Sequence, residues 1–300
     1  MSKVIVVGSS NTDLVFETPK FPMEGETVIG GDFEVISGGK GANQAVAAAR
    51  AGADVVFLTK VGEDEFGSNA LDAYELEGID ISFIEKQKGV ASGTAMIMVN
   101  QTSGENSIIV APGANDYLNE KNIDLISSAI TEKDIVLCQL EIPLPTVTYL
   151  LTQAKKKNAL TVLNPAPYKK INLDVLKYVD IITPNEIETY HLTGIELVNR
   201  ESIELAAFRL LQRVNKAVII TLGDKGVFFI SHDHERFFMQ PQKVNAIDTT
   251  AAGDVFNGYF VAALKDNDIR TAIELGIKSA TMSVTRKGAQ PSIPFKNEIK

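Results

Sequence analysis

The sequence predicts an α/β fold: a central, mostly parallel sheet flanked by helices, with a small β-sheet lid. Three observations predict it. Short, almost wholly apolar runs recur along the chain, as strands buried on both faces do. Helix-length stretches separate most of them, the rhythm of βα units around a parallel sheet. Two segments, 13–37 and 92–110, break that rhythm with turn residues and strand-like alternation.

The core strands are expected at 4–7, 55–58, 135–138, 160–163, 181–182 and 218–221, all rich in β-branched residues. Helices are expected between them at 41–51, 65–77, 121–129, 144–156 and 202–214, and two more, 254–264 and 269–284, follow the last strands. Segment 13–37 carries Pro19, Pro22, Gly25, Gly30 and Gly31 around a strand-like Glu26-Thr27-Val28-Ile29. Segment 92–110 reads as a hairpin, Thr94 to Val99 and Ser107 to Val110 around a turn at 100–105. Paired with each other, the two segments would form a separate small sheet beside a cleft. Gly38-Gly39 would then serve as its hinge. The division is therefore a core of 1–12, 38–91 and 111–300 and a lid of 13–37 and 92–110. Exposed lid edges favour pairing with a second lid, so a homodimer through the lid is expected.

Bulk properties narrow the function. Hydrophobic residues make up 45% of 300 and charged residues 22%, the balance of a soluble globular chain. A net charge of −9 argues against nonspecific nucleic-acid binding. No apolar run reaches membrane-spanning length, and the first strand begins so early that no signal peptide is expected. The single Cys138, inside an apolar run, permits no internal disulfide and suits the cytoplasm.

The most informative stretch is Asp248-Thr249-Thr250-Ala251-Ala252-Gly253-Asp254, between a strand-like 244–247 and an apolar helix. Small residues at a fresh helix N-terminus make an anion site. Asp254 would compete there with any phosphate; it either stabilises its helix start or has a chemical task. Asn11, Asp13, Lys40 and Asn43 offer hydrogen bonds to a polyol or ordinary turn and cap chemistry. Glu141 follows a strand end, where α/β sheets bind ligands. Asn185 and Glu188 form either a capping box or a place for water and Mg2+ near phosphate. Thr221-Leu222-Gly223-Asp224-Lys225-Gly226 is a turn that would let a nucleotide approach the backbone. Ser231-His232-Asp233-His234-Glu235 lacks a third metal ligand and reads as a hairpin tip. Gly38 to Asn43 is no Walker A motif, since Gly41 follows Lys40, and Gly8 to Asp13 fails the dinucleotide pattern.

Gly38-Gly39-Lys40-Gly41-Ala42-Asn43-Gln44-Ala45 and Asp248 to Asp254 resemble the two signatures of the PfkB carbohydrate kinase family. The resemblance runs from Val4 to about Ile293. Asn11-Thr12-Asp13, Asn164-Pro165-Ala166-Pro167, Thr183-Pro184-Asn185-Glu186 and Val284 to Ser292 narrow it to the members that act on ribose. It implies ATP-dependent phosphorylation of the 5-hydroxyl of D-ribose, with Asp254 as general base and Ala251, Ala252 and Gly253 as an anion hole. It implies sugar contacts from Asn11, Thr12, Asp13, Gly39, Lys40, Gly41, Ala42, Asn43, Glu141 and Asp254. Nucleotide contacts would come from Asn185, Thr221, Leu222, Gly223, Asp224, Lys225, Gly226, Gly253 and Asp254, with Asn185 and Glu188 near Mg2+. Asp248, Thr250, Ser283, Arg286, Gly288 and Ser292 match a K+ loop that acts mostly through backbone carbonyls. Thr250 stands where an apolar residue is usual, and Ile277 replaces an adenine-side His of some relatives. Deoxyribose or adenosine as acceptor, or a binding protein that has lost catalysis, are the competing readings; intact Asp254 speaks against the last.

Overall fold

The computed structural model describes residues 2–299. The chain begins with β1 (Val4–Val7), β2 (Asn11–Thr18), β3 (Phe33–Gly38) and α1 (Lys40–Arg50). Next come β4 (Val55–Leu58), β5 (Lys60–Gly62), α2 (Glu65–Leu76), β6 (Glu85–Gln87), β7 (Gly93–Asn100) and β8 (Asn106–Ala111). α3 (Glu120–Ser127), β9 (Ile135–Cys138), α4 (Leu144–Lys156), β10 (Leu160–Leu163) and β11 (Ile181–Ile182) follow. Then α5 (Glu186–Thr193), α6 (Arg200–Leu211), β12 (Ala217–Thr221), β13 (Val227–Ser231) and β14 (Arg236–Met239) lead to α7 (Ala252–Leu264) and α8 (Ile269–Ser283).

The central sheet has the order β14-β13-β12-β11-β10-β9-β1-β4. From β12 to β4 every pairing is parallel; β13 and β14 add an antiparallel edge. Strand residues alternate between two cores. Ile5 and Val7 face one, with Ile123 and Leu150; Val4 and Val6 face the other, with Val46, Phe260 and Ile273. Burial on both faces explains why these strands are apolar throughout. Parallel pairing also aligns the carboxyl ends of β1, β9, β10, β11 and β12 along one edge, where a ligand site is expected. Among the described residues no helix is long and apolar enough to cross a membrane.

A separate four-stranded sheet has the order β3-β2-β7-β8. Asp13 pairs with Ile36 and Ala95, whereas Phe16 pairs with Phe33 and Met98, and Met96 with Ile109. Opposed residues share a face, so Asp13 lies on one face and Leu14, Phe16, Phe33, Val35, Met96 and Ile109 on the other. Five of these six are exposed.

Two strand-like segments are corrected. Residues 26–29 form no strand and pair with neither free edge of the small sheet, and Ile29 is left 90% exposed. Residues 244–247 also stay irregular, anchored by the Ile247 amide donating to the Val284 carbonyl at 2.7 Å. β-branched composition alone does not make a strand. The small sheet also runs slightly beyond the predicted segments, from Asn11 and to Ala111.

Candidate active site

The site begins with a close helix seam. Gly258 of α7 lies against α1 so tightly that a Cβ there would meet the Gln44 carbonyl at 2.6 Å and the Ala48 nitrogen at 2.9 Å. This approach carries Asn43 and Gln44 to the first turn of α7. Gly39 enters α1 at φ 88°, a left-handed conformation open to glycine, with the Asn11 nitrogen 2.7 Å from where a Cβ would be.

Asp254 sits in that first turn, 5% exposed, and does not cap its own helix. Its carboxylate turns to α1 instead: Asn43 Nδ2 donates to Oδ2 at 3.0 Å and Gln44 Nε2 to Oδ1 at 2.9 Å. The acid therefore makes no capping bond, although it still lies in the first turn, at the positive end of α7. Burial pushes its pKa up; Lys40, Gln44 and Asn43 pull it down, and Glu141 raises it further. In return Asp254 is the main cause holding the Lys40 ammonium above its usual pKa, against desolvation. Ala251, just before α7, takes a left-handed φ of 59°, rare for a residue with a Cβ. First-turn amides are ones a helix cannot pair internally; that of Ala252 donates weakly to the Thr249 carbonyl at 3.3 Å.

Other predicted sugar positions gather around this carboxylate. Glu141 Oε2 accepts from Ser9 Oγ at 2.5 Å and from the Lys40 amide at 2.9 Å. Asp13 is pushed up to about 6, first by burial and then by Glu141 and Asp254, with Lys40 opposing. The buried Asn43 Oδ1 has no partner. Asn11 Oδ1 is taken by Asn115 Nδ2 at 2.7 Å. Gly41 and Ala42 serve the backbone: their amides donate to Ser9 Oγ at 3.3 Å and to the Ser9 carbonyl at 2.9 Å, tying α1 to the end of β1. Thr12 is buried in β2.

Along the same edge, Asn185 and Glu188 do form a reciprocal capping box at the start of α5. Glu188 is buried there and its pKa raised, chiefly by desolvation. Asn185 bridges to Thr221, which begins the turn through Leu222, Gly223, Asp224, Lys225 and Gly226. Lys225 pairs with Glu186 at 3.0 Å. Asp248 organises the remaining loop: its carboxylate accepts from the Thr250 amide at 2.9 Å, from Thr250 Oγ1 at 2.6 Å and from the Gly288 amide at 2.9 Å. Ser283 and Ser292 are buried nearby in sequence, and Arg286 pairs with Glu298. His232 and His234 lie at the β13–β14 hairpin tip, and His232 Nε2 bonds the Val214 carbonyl at 3.0 Å. No group of three His, Cys, Asp or Glu that would hold a metal exists among the described residues.

Residues 1–296 match the pfkB family carbohydrate kinase profile. The chain belongs to that family. A ribokinase from Haemophilus influenzae is 44% identical over 98% of this chain and 95% of the relative. A deoxyribokinase from Salmonella typhi is 37% identical over 97% of this chain and 95% of its own length. Among solved structures, a Thermotoga maritima ribokinase superposes with a TM-score of 0.90 at 39% identity, covering 100% of this chain and 98% of that one. An Arabidopsis thaliana ribokinase in complex with ribose and ATP gives 0.92 at 28% identity, with the same coverage.

This carbohydrate kinase also places beside the candidate site three polar residues to which the sequence reading gave no task, two of them inside motifs it quoted. Gln139, Asn164 and Thr183 follow β9, β10 and β11 directly and are buried. Polar residues directly after an apolar run were the available signal. Asn164 Nδ2 donates to the Thr183 carbonyl at 3.0 Å, Thr183 Oγ1 to Asn257 Oδ1 at 2.6 Å, and Asn257 Nδ2 to the Gly253 carbonyl at 2.8 Å. Ile277 is 7% exposed within the core that packs α7 and α8, so most of its side chain is spent on packing.

Proposed function

We propose that this kinase transfers the γ-phosphoryl group of ATP to O5 of D-ribose, giving D-ribose 5-phosphate and ADP, with Asp254 as general base. The observation that carries the reading is the buried Asp254 carboxylate, bonded sideways to α1 beside the first-turn amides of α7. The ribokinase relatives support ribose as the acceptor. The sugar oxygen attacks the γ-phosphorus, its proton passes to Asp254, and the bond to the β–γ bridging oxygen breaks as ADP leaves. Ala251, Ala252 and Gly253 present backbone amides to the phosphoryl charge.

Asn11, Asp13, Lys40, Asn43 and Glu141 hold the sugar, with Gly39 letting the chain come close. The unpartnered Asn43 Oδ1 is an acceptor for a sugar hydroxyl. Asn185 and the turn from Thr221 to Gly226 hold the nucleotide. Glu188 fits a place near Mg2+ rather than on it: it is buried at this edge and both its carboxylate oxygens already accept from Asn185, so it would act through water. Mg2+, when bound, neutralises phosphate charge. The loop of Asp248, Thr250, Ser283, Arg286, Gly288 and Ser292 fits K+ through carbonyls, since the Asp248 carboxylate is already committed to three donors. K+ would steady the loop that leads into α7. The small sheet acts as a lid that brings Asp13 over the sugar and excludes water, and its outward apolar face joins a second copy in a homodimer.

The test is ADP release with a panel of ribose, 2-deoxyribose and adenosine. The Salmonella relative makes 2-deoxyribose the main competitor. Ribose is expected to give the highest kcat/KM; a higher value for either alternative overturns the assignment.

A further inference from the structure

We infer that Gln44 is a positioning residue for the Asp254 carboxylate, holding Oδ1 through an amide that is itself locked at both ends. The inference rests on the proposed role of Asp254. Gln44 is fully buried in α1. Its Nε2 donates to Asp254 Oδ1 at 2.9 Å and to Asn164 Oδ1 at 3.0 Å, and its Oε1 accepts from Gln139 Nε2 at 2.6 Å. The reversed amide would set an oxygen against the oxygens of both Asp254 and Asn164, so only one orientation satisfies the site. Asn164 is fixed in turn by donating to the Thr183 carbonyl. The ends of β9, β10 and β11 thereby set the Gln44 side chain, and Gln44 sets the plane of the carboxylate.

A packing role alone does not account for this arrangement. An apolar side chain would fill the seam without burying an amide that needs three partners. Asn43 also holds Asp254, through Oδ2, but its free Oδ1 is available to the sugar, so its contacts change with occupancy. Gln44 has no exposed surface and no unpartnered polar atom, so it offers a sugar nothing to bind. The charged groups around Asp254 are Lys40, Glu141, Asp13 and Glu188. The three acids disfavour its ionised form, which leaves Lys40, Asn43 and Gln44 to sustain it.

The test compares Gln44→Leu, Gln139→Leu, Asp254→Asn and the Gln44→Leu/Asp254→Asn double variant. Gln44→Leu is expected to lower kcat by on the order of tenfold or more, with the sugar KM changed by less than about threefold. Loss of a donor to the carboxylate moves the acid limb of the kcat–pH profile to higher pH. Gln139→Leu, which frees the far end of the Gln44 amide, moves that limb the same way by less. In the Asp254→Asn background Gln44→Leu costs less than about twofold further, because its partner is already gone. An unmoved acid limb in Gln44→Leu, or an undiminished further loss in the double variant, overturns the proposal. If Gln44→Leu does not fold, Gln139→Leu decides by the same limb. Near-normal turnover in Asp254→Asn alone sinks the base assignment instead, so the two failures are distinguishable.

Discussion

A carboxylate as buried as Asp254 stays ionised only if donors and a cation compensate for lost water. Asn43, Gln44 and Lys40 supply that compensation. Asp254→Asn keeps the shape and loses the proposed proton acceptor, so sugar affinity by calorimetry should persist. Turnover should fall by roughly 100-fold to 10,000-fold. Asp13 has no comparable set. Its pKa moves from 3.8 to about 6 in the folded chain, mostly through burial. The folded state therefore binds this proton more tightly than the unfolded state. Its ionisation lowers stability progressively as pH rises between those values, and the cost is fully present above about 6. Asp13→Asn should raise the Tm of the sugar-free protein at pH 7 while raising the sugar KM. In the parent protein that KM should climb as pH falls below about 6, where the acceptor becomes protonated. A Tm series and sugar titrations across pH 5 to 8 (roughly the range that brackets this pKa) check both.

At the scale of elements, the α1–α7 seam decides the geometry. Alanine at a helical glycine ordinarily gains about 1 kcal/mol of propensity. At Gly258 the sign should reverse, because the new Cβ would press on Ala47 and the Gln44 carbonyl. Gly258→Ala should cost roughly 1–3 kcal/mol in denaturant unfolding and lower kcat by spreading Asp254 from α1. The elements themselves were largely legible: 4–7, 55–58 and 135–138 are apolar because both faces of the sheet are covered, and that burial leaves a mark in composition. The segments 26–29 and 244–247 misled because β-branching reports backbone preference, not pairing with an edge. The two loops that carry the candidate site, Gly38 to Asn43 and Asp248 to Asp254, stood out in the sequence. The direction of the Asp254 side chain did not: whether an acid at the third helical position caps its helix or reaches across depends on a neighbour some 210 residues away. Gln139 was silent for the same reason, and Gln44 and Asn164, though inside recognisable motifs, showed no partner, since one amide in a sequence has none visible.

For the whole molecule, the small sheet presents two unlike faces. The face with Asp13 points to the site; the face with Phe16, Phe33, Val35, Met96 and Ile109 is apolar and open. A patch of this kind marks an association surface. If the proposed homodimer forms through it, Ile109→Glu combined with Val35→Glu should yield a monomer in sedimentation or sizing experiments, and weaken sugar binding as the proposed lid loses support. Persistence of a dimer in that variant would move the interface elsewhere. The bonds from Asn43 and Gln44 to Asp254 span 211 and 210 residues of chain. During synthesis, β1 must wait for β9 to pair beside it, and Asn43 and Gln44 must wait far longer for α7 to emerge. The candidate site around Asp254 is therefore among the last parts of the protein to come together, and under the proposed mechanism a chain without α7 lacks the base with which to spend ATP.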